Sequence, residues 1–213
     1  MAGSNHGMKR AVTTVLLGTC LAVTPALAAG DANLFLGGRS TSDDTVDAAG
    51  LDTVPQYGAW VTLDFEWPVS LALDLMWASD DASVTLSGAS PTTFDTEVDT
   101  LELDFGVRKA WGEKLRPYVG GGVAWVDFGA KQTETGSLGP GMEFTDLIID
   151  DSGSSVGFWV DAGFLYVLGT SLNIGLDVRY TDADVDLTPE GNVGKITLDS
   201  GGTQYGFLIG YHW

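Results

Sequence analysis

The chain has 213 residues, with 10 Lys+Arg against 29 Asp+Glu, a net charge of −19 and 29 glycines. That acidity excludes a nucleic-acid partner, because phosphate binding needs a basic face, and the length suits a single domain. Hydrophobic residues make up 44% of the chain, yet past the N-terminus no segment is apolar for the roughly 18 residues that mark a membrane helix, so a helical membrane protein is excluded as well.

The N-terminus reads as a cleavable export signal. Lys9 and Arg10 form its positive start, an apolar stretch runs from Ala11 to Val23, and Ala26 and Ala28 make an A-x-A cleavage site. The expected organisation is a leader over residues 1–28 and one domain over residues 29–213. Cys20 lies inside the apolar stretch behind Thr19, a poor residue before a lipidated cysteine. Cleavage removes that cysteine, the only one, together with His6, and takes the net charge from −19 to −21 through loss of Lys9 and Arg10. Thiol chemistry, disulfides and metal sites built on Cys or clustered His are thereby excluded from the mature chain.

Alternation with period two dominates the rest of the chain, and such segments are strands with one apolar and one polar or small face. The first is Asn33 to Arg39, with Leu34 and Leu36 on its apolar face. The second places Tyr57, Ala59, Val61, Leu63 and Phe65 opposite Gly58, Trp60, Thr62, Asp64 and Glu66. The third has Leu71, Leu73, Leu75 and Trp77 against Asp74 and Met76. In the fourth, Leu101, Leu103, Phe105 and Val107 oppose Glu102, Asp104, Gly106 and Arg108. The fifth, Arg116 to Asp127, sets Val119, Val123 and Trp125 against Gly120, Gly122 and Ala124. Val156, Phe158, Val160, Ala162, Phe164 and Tyr166 form the apolar face of the sixth, opposite Trp159 and Asp161. The seventh has Leu172, Ile174, Leu176, Val178 and Tyr180 against Asp177 and Arg179. The eighth alternates Tyr205, Phe207, Ile209, Tyr211 and Trp213 with Gln204, Gly206, Leu208, Gly210 and His212.

Connections alternate too. Strands two and three meet at Trp67-Pro68, four and five around Trp111-Gly112-Glu113, six and seven at Leu168-Gly169-Thr170. The others are long, at about 40–56, 79–98, 128–154 and 181–195. Short turns at one end and long loops at the other are the pattern of bacterial outer-membrane barrels. Aromatics gather at strand ends: Tyr57, Trp77, Trp125, Phe158 and Tyr180 near the long loops, Phe65, Trp67, Trp111, Tyr166, Tyr211 and Trp213 near the short turns. That placement makes two interfacial girdles. The predicted fold is all-β, an eight-stranded antiparallel up-and-down transmembrane β-barrel. Alternation alone does not separate it from a soluble barrel whose apolar face points inward. The girdles and the glycine- and charge-rich polar face favour the membrane.

Three segments, Arg116-Pro117-Tyr118-Val119-Gly120-Gly121-Gly122, Leu176-Asp177-Val178-Arg179-Tyr180 and Gly206-Phe207-Leu208-Ile209-Gly210-Tyr211-His212-Trp213, resemble the small outer-membrane β-barrel domain family of the OmpA transmembrane domain, OmpX-like barrels and opacity-type surface antigens. The resemblance covers nearly all of the mature chain. It implies residence in the bacterial outer membrane, with outer-membrane lipid, lipopolysaccharide and the β-barrel assembly machinery as partners, and a monomer. Phe207, Ile209, Tyr211 and Trp213 resemble the family's assembly signal, with Trp213 departing from the usual terminal Phe. A peptidoglycan-binding role does not carry over.

The polar face places Asp64, Glu66, Asp74, Glu102, Asp104, Asp161 and Asp177 inward, with Arg39, Arg108, Arg179 and His212. Charges in a narrow lumen must pair or stay hydrated. They predict a structural salt-bridge network in an interior that side chains can fill. The alternative is a thin cation-selective path, since seven carboxylates face three arginines and rings of acids favour cations. The long loops carry Asp43, Asp44, Asp80, Asp81, Asp150, Asp151, Asp182, Asp184 and Asp186, a solvated surface or one that bridges divalent ions to lipopolysaccharide. The spacing of Asp182, Asp184 and Asp186 is like the start of a calcium loop, but it lacks the central Gly and the final Glu. Met142 to Ile149 is too apolar for a loop. It is expected to extend strands five and six above the membrane or to form a partner-binding edge.

No constellation singles out a catalyst. A Ser/His mechanism needs a histidine beside a nucleophile, and the mature chain has only His212, near the periplasmic rim. The reading is a non-enzymatic barrel without cofactor, serving a structural or surface-contact role. A narrow cation-selective channel is the alternative, and a lipid-modifying enzyme the remote third.

Overall fold

The computed structural model describes residues 29–40, 53–86, 91–139, 142–187 and 196–213. The leader and the loop acids Asp43 and Asp44 lie outside the described residues. Among the described residues ten strands succeed one another: β1 (Gly30–Ser40), β2 (Thr53–Leu63), β3 (Ser70–Leu86), β4 (Thr92–Ala110), β5 (Leu115–Gly139), β6 (Met142–Leu168), β7 (Leu172–Asp182), β8 (Asp184–Leu187), β9 (Ile196–Asp199) and β10 (Gly202–His212). Eight of them close a barrel in the order β1-β10-β7-β6-β5-β4-β3-β2, every pairing antiparallel. The predicted eight-stranded up-and-down barrel is thus the fold.

The structure also decides which face meets lipid. Leu34, Leu36, Leu73, Leu103, Phe105, Val107, Val123, Val160, Leu176, Val178, Phe207 and Ile209 are all exposed on the outer wall. Trp60, Asp74, Asp104, Arg108, Trp159 and Arg179 are buried inside. A soluble barrel would be the reverse. In water this outer belt would far exceed the apolar patches soluble proteins tolerate. β1, β2, β7 and β10 each have 11 residues. At about 3.4 Å per residue and a tilt of about 45°, such strands rise roughly 26 Å, the height of an apolar membrane band.

Ring pairs mark both interfaces. Tyr57 stacks on Trp77 at 6.1 Å and Phe158 lies 6.5 Å from Tyr180 at the long-loop end. At the short-turn end Phe65 meets Trp67 at 5.5 Å and Tyr211 stacks on Trp213 at 6.5 Å. The turns there include Gly112 (φ 88°) and Gly169 (φ 65°), backbone positions that favour glycine.

Two expectations change. Asp64 and Glu66 are not lumen residues. The β2–β3 ladder ends at Leu63↔Leu71, so the alternation that continues to Glu66 runs into the turn before Pro68. There Glu66 is exposed, and the half-buried Asp64 accepts a hydrogen bond from the Ser70 hydroxyl. The regions 79–98 and 128–154 are also largely strand rather than loop. β3 pairs with β4 out to Leu86↔Thr92, and β5 with β6 out to Gly139↔Met142, past a register shift at Gln132/Thr133. β2 leaves β3 at Ala78, and β7 leaves β6 at Phe158. β3 to β6 therefore rise as a four-stranded wall above one half of the barrel. From Ser79 to Leu86 that extension is about 26 Å of strand at about 3.3 Å per residue. The apolar run at Met142 to Ile149 belongs to it, as strand β6.

Candidate functional site

The inward residues fill the lumen in tiers. At the short-turn rim, Asp31 is the hub. Its carboxylate accepts from Arg116 Nη1 at 2.7 Å, Asn173 Nδ2 at 2.8 Å and Thr62 Oγ1 at 3.3 Å, and His212 Nδ1 lies 3.0 Å away. Phe35, Trp60, Met76, Tyr118, Leu165 and Leu208, from six strands, pack into one apolar cluster.

Against this cluster lies the ionic centre. Arg108 donates from Nη1 and Nη2 to Asp74 at 3.0 and 2.5 Å, and from Nε to Asp161 at 2.7 Å. Arg179 donates to Asp74 and to Asp104. Both guanidinium groups also lie over aromatic rings: Arg108 is 4.3 Å from Trp60 and 5.2 Å from Trp159, and Arg179 is 4.9 Å from Trp159. A cation over an indole face is attracted by the ring quadrupole, the more so when desolvated. Asp177 accepts from the Tyr118 hydroxyl at 2.5 Å. Towards the long-loop end Glu102 collects Arg39 Nη1 at 2.6 Å, Thr181 Oγ1 at 2.6 Å and Gln204 Nε2 at 3.0 Å.

Of the residues expected inside, Asp74, Glu102, Asp104, Arg108, Asp161, Asp177 and Arg179 line this lumen. Arg39 joins them, and His212 sits at the rim, partly exposed. Asp31 and Arg116 were missed. Their parity with Asn33 and Tyr118 carried the signal, but both stand at the very start of their strands. With Asp64 and Glu66 gone, the buried lumen holds six carboxylates and four arginines among the described residues. The acid excess is smaller than the alternation suggests. Phe207, Ile209 and Tyr211 point outward into the apolar belt, and the Trp213 backbone pairs with Gly30 at 3.1 Å in both directions.

The wall carries a second group of charges. A groove of about 480 Å³ is lined by Asp80, Asp81, Asp95, Glu97 and Lys131, among others. Along one row Asp81 faces Glu97, Glu97 faces Lys131, and Lys131 faces Asp150. Like charges directly opposite across a ladder repel, so Asp81 and Glu97 are an unfavourable pair that Lys131, next to Glu97, partly offsets. Asp182 ends β7, while Asp184 and Asp186 lie on β8, a short strand paired with β9 rather than an open loop. The Asp186 carboxylate accepts from Thr197 Oγ1 at 2.6 Å.

A closed antiparallel barrel with an apolar belt outside and charges inside defines an outer-membrane β-barrel protein. The chain belongs to the outer membrane protein beta-barrel domain family, which it matches over residues 13–213. It is similar to the outer membrane protein OprG of Pseudomonas aeruginosa, with 16% identity and a TM-score of 0.57 over 88% of this chain and 97% of that one. It is also similar to Ail, the attachment invasion locus protein of Yersinia pestis, solved with the heparin analogue sucrose octasulfate. The identity there is 9% and the TM-score 0.52, over 88% of this chain and 99% of Ail. At such identities the likeness is one of fold. The comparison with curated proteins gave no match.

Proposed function

We propose that this protein is a non-conducting, non-enzymatic envelope barrel whose working surface is the acidic wall. The observation that carries this reading is the filled lumen. Arg108 and Arg179 tie β3, β4, β6 and β7 together through Asp74, Asp104 and Asp161. Side chains on opposite walls meet, so charges that would have to line a cation path are spent on one another. His212 is held by Asp31 and Arg116 at the rim through its Nδ1. The wall projects carboxylates well above the membrane, so it suits contact with cations or basic surfaces. A polyanion of the kind bound to Ail would meet repulsion here. Divalent ions shared with lipopolysaccharide phosphates are the partner class this surface fits.

Refolded protein in a planar bilayer tests the closed lumen, with Asp104→Asn as comparison and heat-modifiable gel migration as proof of folding. The expected result is no stable current from either protein. Small cation-selective steps, reduced by Asp104→Asn, would replace this reading with the channel.

A further inference from the structure

The cations of this chain are unevenly placed. Among the described residues Arg39, Arg108, Arg116 and Arg179 are buried inside the barrel, which leaves Lys109, Lys114 and Lys131. Lys131 stands on the wall. Lys109 and Lys114 both lie at the short-turn end, around the β4–β5 connection. The other two short turns, 64–69 and 169–171, hold no lysine or arginine.

Both lysines are on the lipid side. Lys109 keeps the outward parity of Phe105 and Val107, which are exposed, and faces Val119 of β5 across the ladder. It is half-buried and stands two residues short of Trp111, an exposed ring of the girdle at the short-turn end. Its stem therefore lies on apolar wall, and its ammonium must snorkel past Trp111 to the headgroups. Lys114 belongs to the turn itself. Pro117 O accepts from Trp111 N at 3.0 Å and Lys114 O accepts from Val167 N at 2.8 Å, which ties the turn to β5 and β6. The Lys114 ammonium lies 5.5 Å from the centre of the Tyr166 ring, and Tyr166 shares the outward parity of Phe164. The start of β5 thus runs between two cations, one on the β4 side and one on the β6 side, about 10 Å apart at two strand spacings. Between them lie the exposed apolar residues Leu115 and Val119. Neither lysine has an acidic partner among the described residues. Glu113, exposed at the tip of the turn, pairs with neither.

We propose that this β4–β5 corner is a docking site for an anionic phospholipid of the periplasmic leaflet. Lys109 and Lys114 hold its phosphate, and an acyl chain lies along Leu115 and Val119. Short turns face the periplasm, and that leaflet of an outer membrane is built of phospholipid. The site is continuous with the apolar belt, which already meets the acyl chains of the same molecules. Charge selects among them. A zwitterionic headgroup brings an ammonium that the two lysines repel, whereas a net negative one is attracted. The corner lies at the opposite end of the barrel from the wall, so this inference does not rest on the function proposed for the wall.

Lipid retention tests it. Protein purified from the outer membrane is placed in nanodiscs of equimolar phosphatidylglycerol and phosphatidylethanolamine. The bulk lipid is stripped with mild detergent, and native mass spectrometry counts the lipids that stay bound. The wild type is expected to retain phosphatidylglycerol over phosphatidylethanolamine by roughly fivefold or more. Lys109→Gln with Lys114→Gln is expected to bring the two lipids to within about twofold of each other. Lys131→Gln, at the other end, is expected to leave the preference unchanged. Equal retention of the two lipids by the wild type would overturn the site. So would a preference that survives the double variant in protein that still shows heat-modifiable migration, or one that is lost in Lys131→Gln. Should the double variant fail to fold, the single variants decide: each is expected to lose part of the preference, and an unchanged preference in both overturns the site.

Discussion

Arg179 of β7 and Asp74 of β3 form an ion pair although four places in the barrel order separate their strands, which puts them on opposite walls. The pair therefore spans the lumen. Arg179 also reaches Asp104, whereas Asp74 keeps both bonds from Arg108, so removal of Arg179 strands the Asp104 carboxylate in a buried interior and weakens the pairing of Asp74. Arg179→Met is expected to cost about 3–5 kcal/mol, as for breaking a buried pair from one side. Arg179→Lys should recover only part of this, because a single ammonium does not reproduce the fork that reaches Asp74 and Asp104 together. Arg179→Met combined with Asp74→Asn should be less damaging than the two effects added. Urea unfolding of barrels refolded into lipid vesicles reads all of these, and strict additivity would show that the pair is not coupled.

The outer wall offers a second test. Leu103 and Val160 are 43% and 48% exposed on β4 and β6, within the apolar belt. An arginine at either position faces hydrocarbon. Leu103→Arg and Val160→Arg are each expected to lose about 2–4 kcal/mol near the midplane. The same unfolding experiment measures it. Wild-type stability in both variants would contradict the assignment of this face to lipid.

Much of the barrel was legible in the sequence, and the limits have physical causes. Period two sorts residues into two faces, so Asp74, Asp104, Asp161 and Arg179 could be grouped from alternation alone. It does not say where a ladder stops. Asp64 and Glu66 keep the parity of Thr62 but stand past the last paired residue, Leu63. Nor does it separate a strand that continues above the membrane from a polar loop: Ser79 to Leu86 carries two aspartates and three hydroxyl residues and still pairs throughout. The bend at Gly201-Gly202, where β9 gives way to β10, was equally hidden, because glycines recur in seven of the eight barrel strands. Trp60 and Trp159 could be placed inward, but their stacking on Arg108 comes from strands β2, β4 and β6 meeting at one level. That depends on barrel closure rather than on local pattern.

Glycines on the inner face set how much side chain the lumen can hold. Gly106 lies beneath Trp159: a Cβ there would sit 2.8 Å from the indole Cζ2 and would collide with the Gly121 carbonyl across the ladder. Trp159 is 1% exposed and carries both Arg108 and Arg179 on its ring. Gly106→Val therefore displaces the indole and, with it, the platform under both guanidinium groups. The expected loss is about 1–3 kcal/mol from overpacking, with a change in Trp159 environment on top. Fluorescence of a variant retaining Trp159 as the sole lumen tryptophan, with Trp60→Phe in place, reports the displacement directly. A red-shifted or quenched emission on adding Gly106→Val is the expected outcome. An unchanged spectrum with unchanged unfolding would mean that the lumen has room the packing around Gly106 does not show.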